Sequence, residues 1–124
     1  KPGARPGHHG NPVLVGDDFD DRLEKLARAR HTAITDYRDA WVEEAEAEES
    51  YRTLISVKFA AYREMGQGQE ESKVHSEADA AEKKKTWRLA EGKRRASKEM
   101  IDFVERSQAM ARESSERWRV TGGG

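Results

Sequence analysis

The sequence predicts an all-α protein built as a long antiparallel two-helix coiled-coil hairpin, and three observations carry that expectation. Between Asp17 and Thr121 there is no proline and only three glycines, Gly66, Gly68 and Gly92. The same stretch is rich in Ala, Glu, Lys and Arg, which favour helix on exposed faces. Its one paired breaker, Gly66-Gln67-Gly68, falls near the middle, which leaves two arms of similar length.

Residues 1–16 hold all three prolines, four glycines and the pair His8-His9, and read as a flexible, mildly basic arm. The first helix is expected over about 18–65. Asp18 serves as its cap with Asp21 reaching back, and the acidic residues at 17, 18, 20 and 21 suit the positive end of the helix dipole. Gly66 can take the left-handed conformation that ends helices. A turn at 66–71 follows, then a second helix over about 72–119 with Ser72 or Ser76 as its cap, and a flexible tail at 121–124. At the rise of an α-helix each arm is roughly 70 Å long.

Folding the arms back sets residue i opposite about 137 − i. Ile34 then faces Phe103, Tyr37 faces Met100, Trp41 faces Ala96, Ala45 faces Gly92 and Phe59 faces Ala78. On the second arm the expected seam runs Val74, Ala78, Ala81, Lys85, Leu89, Gly92, Ala96, Met100, Phe103, Ser107, Met110, in the steps of three and four that a coiled coil requires. Gly92 is expected to let the backbones approach. Trp87, Ile101 and Val104 lie off this seam, so they are expected on a second apolar stripe that contacts a partner or completes a four-helix bundle by dimerisation.

The loudest local feature is basic. Lys83, Lys84, Lys85, Arg88, Lys93, Arg94, Arg95 and Lys98 against Glu91 give +7 over 83–98. A basic helix face beside a tryptophan suits a phosphate backbone with a stacked base. The facing segment, 39–54, carries Asp39, Glu43, Glu44, Glu46, Glu48 and Glu49 against Arg52, which is −5. Pairing between the arms is therefore expected to neutralise much of the field and to fix the register.

Composition removes several function classes. Leu, Ile, Val and Phe make up only about 15% of the 124 residues, too few for a deep enclosed pocket. Without cysteine there is no disulfide, thiolate metal site or cysteine nucleophile. His75 and Asp79 share a helical face but lack further ligands, and Gly66-Gln67-Gly68-Gln69 lacks the strand and the Lys-Ser/Thr of a phosphate loop. No catalytic residue, cofactor, metal or small-molecule substrate is expected, and no apolar run is long enough for a membrane span.

The order of Tyr51-Arg52, Lys58-Phe59-Ala60-Ala61-Tyr62-Arg63-Glu64, the glycine break, Glu77-Ala78-Asp79, the segment 88–93 and the closing Ser-Glu-Arg-Trp-Arg resembles the short helical-hairpin proteins of tailed phages and prophages. Many of those sit near replication or recombination genes. The resemblance implies a phage-encoded accessory protein of the bacterial cytoplasm or the phage particle. The expected function is non-enzymatic: a helical adaptor or assembly protein that binds another protein or its own copy through its coiled-coil surface. The alternative is a nucleic-acid-binding accessory using Lys83, Lys84, Lys85, Arg88, Lys93, Arg94 and Arg95.

Overall fold

A computed structural model describes residues 15–120; residues 1–14 of the arm expected over 1–16 and the tail at 121–124 lie outside the described residues, while Val15 and Gly16, expected in the arm, belong to the first helix. The described chain is all-helical: α1 spans Val15–Glu64, α2 Gln69–Asp79 and α3 Ala81–Trp118. Because α1 starts at Val15, Asp18 lies inside the helix, and Asp21 pairs at 3.1 Å with Lys25 one turn on. The acidic run thus sits in the first turns without acting as a cap.

The stop of α1 follows from Gly66. Its φ of 92° is a conformation that residues with a Cβ rarely adopt. The Gln67 N–H donates to Tyr62 O at 3.1 Å and the Gly66 N–H to Arg63 O at 3.0 Å, which satisfies two carbonyls the helix end would otherwise orphan. α2 then starts at Gln69 with Gly68 as an extended cap residue, so Ser72 and Ser76 are not caps. Both are buried, and their hydroxyls turn back onto the carbonyls of Gln67 and Lys73. Serine inside a helix commonly satisfies its hydroxyl this way, and the short side chain leaves room for a neighbouring helix. The single helix expected over 72–119 is divided at Ala80, whose φ −95° and ψ 6° leave the helical region. Hydrogen bonding runs through the division, from Ala80 N–H to Ser76 O and from Lys84 N–H to Ala80 O.

The chain forms two compact units. In the unit of residues 33–99, Glu43 meets Lys93, Glu44 meets Arg94, Tyr51 stacks on Trp87, and Tyr62 bonds Asp79. As numbers rise along α1 they fall along α2 and α3, the order of a hairpin. Its buried apolar residues are all alanines: Ala33, Ala40, Ala80 and Ala90. In the other unit, described over 15–32 and 100–120, Ile101, Val104 and Ala111 are buried on α3, with Gln108 and Ser115 on the same face. Arg30 donates two hydrogen bonds to one Glu105 oxygen, at 2.9 and 3.1 Å.

The face of α3 turned inward is not the expected one. Trp87, Ala90, Arg94, Ser97, Ile101, Val104, Gln108, Ala111, Ser115 and Trp118 are buried or half-buried, and they recur in unbroken steps of three and four. Leu89, Met100, Phe103 and Met110, expected in the seam, are 53–68% exposed. The helix is rotated by one to two residues, and each residue is about 100° of turn. Gly92 is exposed and a Cβ on it would meet nothing within 4 Å, so it serves no close approach. On α1 the matching residues are Ala33, Tyr37, Ala40, Glu44, Ala47, Tyr51, Leu54 and Lys58, again three and four apart. Trp41, expected inside, is 48% exposed.

Candidate interaction surfaces

In the unit of residues 33–99 the basic cluster divides into a paired part and a free part. Lys93 Nζ lies 3.0 Å from Glu43. Arg94 binds Glu44 through Nε, with Nη2 at 3.5 Å from the second oxygen, and both side chains are largely shielded from water. The Arg94 guanidinium also lies 4.5 Å from the Trp41 ring centroid, and Tyr37 meets that ring edge-on. Its hydrogen bond to Glu44 raises the Arg94 pKa above the ordinary arginine value, which favours the charged guanidinium. Arg88 and Arg95 share Glu91, each at 3.1 Å. These four residues of the expected nucleic-acid face are therefore matched with carboxylates.

Lys83, Lys84 and Lys85 are different. All three are exposed, and none has an ion-pair partner among the described residues. Lys84, Lys85 and Arg88 line an open groove with Tyr51, Ala81 and Glu77.

Trp87 does not project outward as expected. Its ring stacks on Tyr51 at 5.5 Å, with the guanidinium groups of Arg88 and Arg52 at 4.4 and 5.3 Å. Its indole N–H is buried without a hydrogen-bond partner. Ile101 is 8% exposed and Val104 4%. Both lie on the buried face of α3. Ile101 and Val104, expected to face a partner, are thus turned inward; the large apolar residues left exposed include Met100, Phe103 and Met110 in their own unit and Trp41, Val42, Val57 and Leu89 in the unit of 33–99.

At the turn, Tyr62 donates to Asp79 at 2.5 Å, and the phenol pKa is raised, first by that bond, then by burial and by the Asp79 charge. His75 Nδ1 lies 2.8 Å from Gln67 Oε1, and its ring meets Tyr62 edge-on. His75 and Asp79, one turn apart, are thereby engaged in side-chain contacts. No group of three or more metal-ligating side chains occurs among the described residues. No described helix is long and apolar enough to cross a membrane.

Compared with protein-family models, curated proteins and solved structures, the chain matches none.

Proposed function

We propose that this chain is a non-enzymatic helical adaptor or assembly protein that binds another protein through its exposed helix surface, each unit being an antiparallel two-helix coiled coil. The observation that carries the reading is that α3 has two apolar stripes at coiled-coil spacing, and only one is used internally. Ile101, Val104 and Ala111 fill the inner stripe, while Leu89, Met100, Phe103 and Met110 remain exposed on the outer one. Leaving large side chains in water while alanines and serines take the interior makes sense if a further helix covers them. The resemblance to phage helical-hairpin proteins fits a small accessory of this kind. Capture from host lysate tests it. A protein partner should survive nuclease and a wash at about 0.5 M salt, because apolar burial resists screening. It should be lost with Phe103→Glu. Recovery that disappears with nuclease overturns the reading.

A second reading is favoured by one observation: the three lysines at 83–85 have no carboxylate partner among the described residues while their basic neighbours do. A nucleic acid tracked by these lysines would show log affinity falling with log salt by about 0.7–0.9 per phosphate contact. Replacing all three with Gln should reduce that slope by about 2–3.

A further inference from the structure

The unit formed by 15–32 and 100–120 carries an outer face on which large and small residues alternate from Phe103 to Ser114. Met100, Phe103, Ser107, Met110 and Ser114 follow one another along α3 in steps of three, four, three and four. Met100, Phe103 and Met110 are 53%, 57% and 68% exposed. Beside them Ser107, Met110, Ala111 and Ser114 line a groove with Leu26 and Arg22 of α1. The face thus presents large side chains outward and, next to the small ones, a recess with an apolar side.

Resting on the partner-binding reading above, we propose that this face is closed by a second copy of the same chain, α3 against α3 in antiparallel order, with Phe103 of each copy entering the Leu26–Ser107–Ser114 groove of the other. Setting Phe103 opposite Ser114 also sets Met110 opposite Ser107, so large meets small at both places, and the two-fold symmetry repeats each contact.

Charge selects the same register. Arg106 and Glu113 lie immediately before Ser107 and Ser114, at the flanking positions that face one another in an antiparallel coiled coil. In this register each Arg106 falls beside Glu113 of the other copy, which gives two pairs. Arg106 makes no ion pair among the described residues, and Glu113 is held only by Arg117 one turn away, at 3.2 Å and with both side chains exposed. That bond is easily exchanged.

Sliding by one heptad sets Arg106 against Arg106 and Glu113 against Glu99, like on like. Sliding by two restores a Glu99–Arg106 pair but stacks Phe103 on Met100 and Ser107 on Ala96, large on large and small on small. A parallel arrangement brings the flanking charges toward Val104 and Ala111, which are buried and uncharged. Only the first register satisfies both size and charge.

Sedimentation equilibrium of the full chain tests this directly. The wild type should run at twice 14.1 kDa, and Phe103→Asp, exposed and outside the inner seam, should run at 14.1 kDa with its helical circular dichroism unchanged. Arg106→Glu and Glu113→Arg should each weaken the dimer about tenfold or more through like-charge juxtaposition, and the double exchange R106E/E113R should restore it. A wild type that stays monomeric at about 100 μM, far above the Kd of a specific dimer, overturns the proposal. A dimer indifferent to both single charge changes overturns it as well. A monomer that still holds a lysate protein through nuclease and salt removes only the second copy as occupant. A dimer that captures nothing supports the proposal and removes the separate partner.

Discussion

The two units use the same helices but are held by different chemistry. In residues 33–99 the interior is alanine and serine, with an Arg94–Glu44 pair at a seam position and aromatic rings laid over guanidinium groups. In 15–32 with 100–120 the branched residues Ile101 and Val104 are the buried bulk, and the ion pair Arg30–Glu105 lies outside them, each side chain nearly half exposed. The first arrangement specifies alignment, since a charge shielded from water tolerates only its own partner. The second supplies burial, which is worth more per residue but is indifferent to small slips. A chain with so few large apolar residues divides the two tasks along its length.

Deleting the buried bulk should have the largest effect. Ile101→Ala should cost about 2–4 kcal/mol in chemical denaturation, whereas Phe103→Ala on the outer stripe should cost less than about 1 kcal/mol in the monomer. Equal losses would mean that inner and outer stripes are not distinct. Next comes the alignment pair. Glu44→Ala should lower the thermal midpoint clearly more than Glu43→Ala, because Glu43 reaches Lys93 at the exposed edge while Glu44 leaves a shielded guanidinium behind. A ratio near one would show that unit 33–99 does not depend on that pair. Gly92→Ala should raise stability by about 0.5–1 kcal/mol, as the helix interior there is open to a methyl group.

The smallest effect is a pH dependence at the turn. The raised pKa of Tyr62 means that the protonated phenol is the form stabilised by Asp79. Its contribution is complete below the ordinary tyrosine value of about 10 and is lost as pH rises through the higher folded value. Thermal midpoints between pH 8 and 11 should fall more for wild type than for Tyr62→Phe.

How much of this was legible varies with the kind of information. Helix content and the stop at Gly66 follow from local chemistry, and the facing of acidic 39–54 with basic 83–98 follows from charge. Glu43 and Glu44 indeed find Lys93 and Arg94, one residue from the expected 94 and 93. The rotation of α3 was not legible. Two stripes of coiled-coil spacing compete there, and the one with more large residues, from Leu89 to Met110, looks like the core. The structure instead chooses Ala90, Ala111 and Ser115, because small residues let two helices approach and because only that rotation brings Arg94 onto Glu44. Ile101 and Val104 on the same stripe as Trp118 were the available clue. The division at Ala80 has no proline or glycine to announce it.

The tight turn at Gly66 also sets an order of assembly. Tyr62 and Asp79 are 17 residues apart, Glu44 and Arg94 are 50, and Arg30 and Glu105 are 75. Closing a loop costs entropy that grows with the logarithm of its length, so the contact nearest the turn forms most cheaply, and each one made shortens the loop the next must close. Folding should therefore run outward from residue 66 like a zipper, fast and with no single long-range step to wait for.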